Sequence, residues 1–242
     1  MERIKGIIPP MVTPLKDEKE LDMEGGVRLT EHIISGGVGG LFILGTTGEA
    51  QSLSHSLRNE FVELVCKQVA GRVPVLVGIS DTSIEESVAL ADKAWECGAA
   101  GVVAAAPYYL APSQQEMIEY FTELADRVKL PLYLYNMPSC VKVFLEVGTV
   151  MRLAGHPNIA GLKDSSANMT YFQKLLYLLR DKDFALYMGP EEMTAAAVMA
   201  GADGGINGGA NLCPELYAEM YEAARTHDTE KVNELQQKIM QI

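Results

Sequence analysis

The stretch Asn158-Ile-Ala-Gly-Leu-Lys-Asp-Ser-Ser-Ala-Asn168 joins a short apolar run to a polar turn. The four residues before Lys163 are typical of a strand, and residues 169–180 have the spacing of a helix. By strand alternation, Ile159, Gly161 and Lys163 are expected on one face. Lysine is rarely buried, so Lys163 is either a side chain that extends to solvent at a strand end or a nucleophilic amine. The stretch predicts one β-then-α unit with a lysine at the carboxyl end of its strand.

The same alternation of short apolar runs and longer amphipathic ones repeats along the chain. The predicted strands cover residues 6–11, 40–44, 73–79, 101–105, 131–135, 159–163, 184–188 and 204–206. Helical spacing covers residues 24–36, 54–70, 83–97, 114–127, 144–154, 169–180 and 191–200, and starts again near residue 214. Eight such units in 242 residues favour an α/β fold in which a parallel sheet closes into a (β/α)₈ TIM barrel. A doubly wound open sheet is the alternative.

The chain is predicted to consist of a catalytic barrel, residues 1–226, followed by a short C-terminal helical extension, residues 227–242. In this tail Val232, Leu235 and Ile239 recur at helical spacing. An apolar stripe needs a surface that covers it, so it packs against the barrel or a neighbour, or belongs to a truncated segment. We expect residues 227–242 to be only the start of such an extension.

Composition restricts the class of protein. Hydrophobic residues make up 48% of the chain, enough for a large core, and the formal net charge is −12. This acidic balance argues against nucleic acid and anionic membranes as partners. No run of about 18 apolar residues occurs, which predicts no membrane span. The four cysteines are scattered without zinc or disulfide spacing, so we predict a soluble, cytoplasmic protein.

The residues that follow the predicted strands carry the chemistry, because the active site of such a barrel lies at the carboxyl ends of its strands. Gly45-Thr46-Thr47-Gly48-Glu49 follows the second strand, Tyr135 ends the fifth and Lys163 ends the sixth. No histidine lies at a strand end, and no cluster has metal-ligand spacing, so no metal is expected. The lysine is therefore the candidate reactive group. Burial lowers the pKa of such an amine, which then adds to a ketone to form a Schiff base without a cofactor.

The neighbouring groups have matching roles. Thr46, Thr47 and Gly48 offer hydroxyls and backbone N–H groups that suit a carboxylate. Tyr135 is placed to relay protons to a bound carbonyl or aldehyde oxygen. Each feature also has a structural explanation: a helix-entry turn for the segment at 45–49, packing for Tyr135, and tight barrel geometry for the glycines at 204–209.

Three markers occur in order along the chain: Gly45-Thr46-Thr47-Gly48-Glu49, Tyr135-Asn136-x-Pro138 and Gly161-Leu162-Lys163-Asp164-Ser165. At these residues the chain resembles the dihydrodipicolinate synthase/N-acetylneuraminate lyase family, class I lyases that bind pyruvate as a Schiff base. The resemblance extends from the first strand to the helix after the eighth. It implies that Lys163 binds pyruvate covalently and that Tyr135 transfers protons.

The same resemblance implies roles for further residues. Thr46 would connect Tyr135 to Tyr109, Thr47 would hold the pyruvate carboxylate, and Ile206 would line the site through its backbone. In synthase-like relatives the tyrosine that matches Tyr109 comes from a neighbouring subunit, which implies a homodimer or homotetramer.

Two departures from the family pattern bear on the substrate and the assembly. Dihydrodipicolinate synthases carry an arginine two residues after the proline of the tyrosine motif, where it holds the carboxylate of aspartate semialdehyde. Cys140 occupies that position here, with Lys142 two residues further on. A cysteine cannot donate a bidentate pair to a carboxylate. Relatives also usually continue for several helices beyond the barrel, which affects the expected oligomer contacts.

The leading hypothesis is a lyase or aldolase that joins or cleaves pyruvate and an aldehyde, with a 2-keto-3-deoxy sugar acid as the type of substrate. The main alternative is 4-hydroxy-tetrahydrodipicolinate synthase, which condenses pyruvate with aspartate semialdehyde. A phosphate-binding barrel enzyme is a third hypothesis, because the loops after the last two strands are rich in glycine. The fourth is a non-catalytic sensor of 2-oxo acids, against which the intact Lys163 argues.

Overall fold

The structure is a computed structural model that describes residues 3–17 and 19–242. Met1, Glu2 and Glu18, which the predicted barrel domain includes, lie outside the described residues. The strands are β1 Gly6–Ile7, β2 Leu15–Asp17, β3 Glu20–Leu21, β4 Leu41–Ile43, β5 Val75–Gly78, β6 Gly101–Ala105, β7 Leu132–Asn136, β8 Ile159–Asp164, β9 Ala185–Met188 and β10 Gly204–Gly205. The helices are α1 Met23–Ser35, α2 His55–Val69, α3 Ile84–Glu96, α4 Gln114–Arg127, α5 Pro138–Val141, α6 Val147–Leu153, α7 Met169–Leu179, α8 Glu191–Met199, α9 Pro214–Arg225 and α10 Thr229–Ile239.

Eight of the strands form one parallel sheet in the order β1-β10-β9-β8-β7-β6-β5-β4. A parallel bridge between Pro10 and Phe42 joins the two edges of this sheet. The Phe42 N–H donates to Pro9 O at 3.0 Å, and the Met11 N–H donates to Phe42 O at 2.8 Å. The sheet is therefore closed into a (β/α)₈ barrel, as predicted, and the open-sheet alternative is wrong.

The first strand is shorter than the predicted 6–11, because only Gly6 and Ile7 pair with β10. Pro9 and Pro10 have no N–H to donate to a ladder. The Ile8 N–H still donates to Gly205 O at 2.8 Å, and the chain then leaves β10 and crosses to β4 through the bridge at Pro10. The prolines thus shorten the strand at the point where the barrel closes.

A bulge interrupts the pairing of β7 with β8. Leu132 pairs with Ile159, but the next residue of β7, Tyr133, pairs with Gly161, so Ala160 is an extra residue without a partner. A Cβ on Gly161 would lie 2.9 Å from the Tyr133 ring, so the glycine makes room for that ring. The bulge moves β8 forward by one residue relative to β7.

This shift decides which residues face the barrel interior. Residues paired in a parallel ladder point to the same side of the sheet, so Gly161 and Lys163 share a face with Tyr135, the partner of Lys163. Ile159 pairs with Leu132, which points to the opposite side. The expectation that Ile159 shares a face with Gly161 and Lys163 is therefore wrong for Ile159, because alternation does not continue through a bulge.

A strand pair and a short helix among these elements were not predicted from the sequence. The antiparallel pair β2–β3 lies before α1, and the four-residue helix α5 follows β7 directly. Both are too short for a periodic hydrophobic pattern to form. Helix α5 matters for the site because it carries Cys140, with Pro138 in its first turn.

The C-terminal tail forms helix α10, which packs against α8 and α9. Val232, Leu235 and Ile239 are buried in one cluster with residues of those two helices. The apolar stripe is thus covered by helices of its own barrel. Within the described residues, no helix is long and apolar enough to cross a bilayer.

Candidate active site

Lys163 and Tyr135 lie side by side inside the barrel, at the carboxyl ends of β8 and β7. They are Cα partners in the sheet, and the Lys163 Nζ lies 4.2 Å from the centroid of the Tyr135 ring. The lysine is only 4% exposed, and the phenol is buried as well. The side chain that could have extended to solvent instead points into the barrel.

Burial lowers the pKa of the Lys163 amine, because the charged form loses its hydration. The interactions with Tyr135 act in the opposite direction and favour the ammonium, but they are the smaller effect. A lysine in this environment loses its proton more readily than a surface lysine. It then has the lone pair that a nucleophile needs.

Thr46 connects to this pair from the turn after β4. Its Oγ1 is 3.2 Å from the Tyr135 hydroxyl, and either oxygen can be the donor. Thr46 is itself exposed to solvent. A hydroxyl chain thus leads from the surface to the phenol beside the amine, an arrangement that suits proton transfer.

The turn that carries Thr46 is held in a restricted backbone conformation. Leu44 and Glu49 both have positive φ angles, of 57° and 52°. A Cβ on Gly48 would lie 2.9 Å from Met11 O, and the Thr13 hydroxyl donates to Gly48 O at 2.8 Å. The turn therefore requires glycine at this position, where the loop after β1 supports it.

Thr47 and Gly48 offer donors that the fold itself does not use. Within the described residues, their backbone N–H groups make no hydrogen bond. The Thr47 Oγ1 lies 4.0 Å from the position that a Cβ on Gly208 would take, so this turn faces the turn after β10. Ile206, buried, comes just before that second turn, and its N–H is bonded to Met188 O at 2.8 Å. The two turns approach each other across the mouth of the barrel.

Glu191, which the sequence analysis did not single out, braces the turn after β10. Its carboxylate accepts hydrogen bonds from the Gly209 N–H at 2.7 Å and from the Tyr217 hydroxyl. Burial and this carboxylate together raise the pKa of Tyr217, so the phenol remains a donor. Glu191 is thereby engaged in holding the loop that faces Thr47.

A second group that was missed is the buried pair of Asn136 and Asp164. These residues follow Tyr135 and Lys163 directly, and their side chains lie on the opposite side of the sheet from them. Asn136 Nδ2 donates to Asp164 Oδ1 at 2.8 Å, and the Ser166 hydroxyl donates to the other carboxylate oxygen at 3.0 Å. Burial raises the pKa of Asp164, although these hydrogen bonds act against the rise. Both residues stand in the quoted markers, so the signal was present in the sequence.

A cavity of about 400 Å³ opens at this end of the barrel, beside Tyr135. Its polar wall residues are Thr46, Glu49, Gln51, Ser52, Ser80 and Tyr108. Cys140, which is exposed, lies on its rim, whereas Lys142 is not part of the wall. None of the described residues that form the wall is a lysine or an arginine. The polar part of the wall thus offers neutral hydrogen-bonding groups and one carboxylate, set among apolar residues such as Phe42, Leu44 and Met137.

Tyr109 is not brought to the other candidate residues. Its side chain is 79% exposed, on the loop after β6, beside Leu110 at 76%. Within the described part of the chain, its hydroxyl makes no hydrogen bond with Thr46 or any other residue. The fold therefore places Lys163, Tyr135 and Thr46 together, with Thr47, Gly48 and Ile206 at the mouth and Cys140 on the rim, and leaves Tyr109 pointing outward.

Residues 3–242 match the model of the dihydrodipicolinate synthetase family. The chain belongs to this family. Its relatives within the dihydrodipicolinate synthetase family include the 4-hydroxy-tetrahydrodipicolinate synthase of Methanopyrus kandleri, with 35% identity over 98% of this chain and 80% of the relative.

Solved structures of the dihydrodipicolinate synthetase family have the same fold. The dihydrodipicolinate synthase from Bacteroides thetaiotaomicron is 53% identical, with a TM-score of 0.97 over 100% of this chain and 82% of that one. YagE, a prophage protein of the dihydrodipicolinic acid synthase family from E. coli K12, was solved in complex with pyruvate. It is 31% identical, with a TM-score of 0.95 over 99% of this chain and 82% of that one. These relatives make the chain a lyase or synthase of the family.

Proposed function

We propose that this enzyme joins or cleaves pyruvate and an aldehyde through a Schiff base on Lys163. The observation that carries the proposal is the placement of the amine. It is buried inside the barrel, 4.2 Å from the Tyr135 ring, and its pKa is lowered by burial. A surface lysine would be protonated at neutral pH and could not add to a ketone.

In the joining direction, the Lys163 lone pair attacks the keto carbon of pyruvate, and loss of water gives a protonated imine. The imine draws electrons from the methyl carbon, which loses a proton and becomes the carbon nucleophile of an enamine. This carbon attacks the aldehyde carbon, and the aldehyde oxygen takes up a proton from Tyr135. Water then hydrolyses the new imine, and the 2-oxo acid leaves with the amine restored. Cleavage is the same sequence in reverse, and neither direction needs a metal or a cofactor.

The other candidate residues have defined parts in this route. Tyr135 exchanges its proton through the Thr46 hydroxyl, which is 3.2 Å away. The free N–H groups of Thr47 and Gly48 receive the pyruvate carboxylate, and the Ile206 backbone lies on the facing wall. These donors act locally, so the net charge of −12 does not prevent binding of an anion.

For the aldehyde we propose a neutral, hydroxylated molecule, so that the joined product is a 2-keto-3-deoxy sugar acid. The wall of the cavity carries hydroxyl and amide groups, one carboxylate at Glu49, and Cys140 on the rim. Burying a second substrate carboxylate there without a cationic partner would cost several kcal/mol. Hydroxyl groups need only hydrogen bonds, for which the Ser52 and Ser80 hydroxyls are available in the wall, whereas the Gln51 amide is bonded to Ser80 O and Tyr108.

A second candidate is condensation of pyruvate with aspartate semialdehyde. It is favoured by the names of the relatives, above all by the 53% identity to the dihydrodipicolinate synthase from Bacteroides thetaiotaomicron. Cys140 argues against it, because a thiol cannot replace a guanidinium as the partner of a carboxylate. Relative kcat/KM values for the two aldehydes decide between the candidates.

For the assembly we propose a homodimer or homotetramer in which Tyr109 reaches a neighbouring subunit. The support is its exposure of 79% beside an equally exposed Leu110, on a loop that flanks the mouth of the barrel. A large aromatic side chain with an adjacent leucine is a common centre of a subunit contact.

The decisive experiment is trapping of the imine. Pyruvate with borohydride should attach one reduced pyruvate per chain, and peptide mass spectrometry should find it on Lys163. Lys163→Ala and Lys163→Arg should both fail to label and to turn over, since a guanidinium stays protonated. Lys142→Arg, which changes an exposed lysine near the cavity, is the matched control and should label normally. Labelling spread over surface lysines with full activity would refute the mechanism.

A further inference from the structure

Phe42 lies against both reacting side chains, although the proposed reaction gives it no role. It projects from β4, is 1% exposed, and its ring centroid is 5.0 Å from the Lys163 Nζ. Its ring also meets Tyr135 edge-on, with centroids 6.5 Å apart and an interplanar angle of 88°. The amine therefore contacts two aromatic rings, one from the adjacent strand β7 and one from β4, which lies beyond β7, β6 and β5 in the sheet.

The position of this ring is fixed by the backbone around it. Phe42 is the residue that closes the barrel, with hydrogen bonds to Pro9 and Met11. A Cβ on Gly45 would lie 2.6 Å from the Phe42 ring, so the first glycine of the turn makes space for it. The ring has a defined seat, and the turn that carries Thr46 is shaped around it.

We propose that Phe42 is a positioning residue, whose ring holds the Lys163 amine beside Tyr135 and keeps water away from it. The proposal rests on the proposed function, in which that amine is the nucleophile. Phe42 has no group that exchanges a proton, and because its ring also lines the cavity, its effect on the amine has to be measured without substrate.

Two physical effects of the ring oppose each other. Its bulk excludes water, which favours the neutral amine, and its face attracts the ammonium, which favours the charged form. At 5.0 Å the ring lies within the range of about 6 Å at which ring faces attract cations, but burial is the largest influence on the Lys163 pKa, so we expect exclusion of water to be the larger effect. A smaller side chain at position 42 should therefore raise the pKa of Lys163.

The charged and titratable neighbours of Lys163 leave this effect measurable. Tyr135 faces the amine from β7 and remains in place in the variants. Asp164 of β8 lies on the opposite side of the sheet, where Asn136 and Ser166 bind it. From β9, the Tyr187 hydroxyl donates to Ile4 O at 2.7 Å.

The test is the pH dependence of Lys163 acylation by a small reagent, read by peptide mass spectrometry in the absence of substrate. The pH at which Lys163 acylation is half-maximal should rise stepwise in the series Phe42→Leu, Phe42→Val and Phe42→Ala. The rise should reach about one pH unit for the alanine variant. At a pH well below the midpoint of the unmodified chain, this shift should lower kcat/KM by about tenfold. The same three substitutions at Phe121, which is equally buried but lies in α4, are the matched controls and should not move the midpoint.

Equal midpoints in the two series would overturn the proposal, and if the alanine variant does not fold, the leucine and valine variants still decide. The readout also separates the two claims. A midpoint that moves in a protein that never traps pyruvate would refute the proposed function and would still show that Phe42 keeps water away from the amine. Normal trapping with an unmoved midpoint would refute the role of Phe42 alone.

Discussion

Removal of one oxygen atom from Tyr135 tests the proton-transfer step. Tyr135→Phe keeps the ring that lies 4.2 Å from the Lys163 amine and removes the hydroxyl that is 3.2 Å from Thr46 Oγ1. The packing around the ring stays the same, so the fold should keep its stability. We expect kcat to fall by roughly 10²- to 10⁴-fold, the range for loss of a general acid–base group.

The Thr46 hydroxyl sets a scale for comparison. Thr46→Val removes one neutral hydrogen bond to the phenol and leaves the phenol itself. Such a bond contributes about 0.5–1.5 kcal/mol, which corresponds to a loss of about 2- to 13-fold in rate. Both variants should therefore lose kcat, and the loss should be at least about tenfold larger for Tyr135→Phe than for Thr46→Val.

The assay is steady-state kcat and KM for both variants, with thermal unfolding as the control for the fold. Normal turnover by Tyr135→Phe would show that the tyrosine only packs. An equal loss in the two variants would show that the proton passes only through the Thr46 hydroxyl, and the expectation that Thr46→Val loses no more than one hydrogen bond would be wrong.

The remaining predictions concern the substrate, the assembly and the stability. Cys140→Arg should narrow or reverse the preference for a hydroxylated aldehyde over aspartate semialdehyde in kcat/KM; efficient use of the semialdehyde by the unmodified chain would contradict this. When inactive Lys163→Ala and Tyr109→Phe chains are mixed, part of the activity should return if Tyr109 acts in a neighbouring subunit. No recovery after verified subunit exchange would contradict this. Burial lowers the pKa of Lys163 in the folded chain, so the unfolded chain binds the lysine proton more tightly. Relative to the unmodified chain, Lys163→Met should therefore be increasingly stable as the pH falls from 10.5 toward the lowered pKa. A difference in the free energy of urea unfolding that does not change with pH would argue against this. Asn136→Ala should lower the free energy of urea unfolding by about 2–5 kcal/mol, because Asp164 and the Leu145 N–H both lose their hydrogen bond to the Asn136 side chain. A loss under about 1 kcal/mol would refute this prediction.

The barrel was predictable because its evidence is repeated eight times along the chain. Each apolar run followed by an amphipathic one indicates the same β-then-α unit, so small errors in the predicted ends of strands did not change the predicted fold. The features that escaped prediction are single events. Pro9 and Pro10 shortened β1, and the extra residue Ala160 reversed the facing of Ile159. A bulge depends on pairing with another strand, which no local pattern contains.

The candidate site divides in the same way. Lys163, Tyr135 and Thr46 were found because the carboxyl ends of barrel strands are fixed by the topology. Phe42 and Glu191 were missed because an apolar residue inside a strand and an acid in a first helical turn both look ordinary in sequence. Their contacts depend on strands and loops that are far apart along the chain. The contact of Tyr109 with a neighbouring chain stays a prediction.

The bulge at Ala160 also affects how this strand tolerates changes in length. Five residues from Ile159 to Lys163 span the distance that four residues of β7, Leu132 to Tyr135, cover on the neighbouring strand. The strand therefore has one residue in excess. A single deletion here can be absorbed by a regular ladder that still places the lysine opposite Tyr135, whereas an insertion would need a second bulge or would turn the amine out toward the helices. Among homologues we therefore expect single-residue deletions in this strand but no insertions.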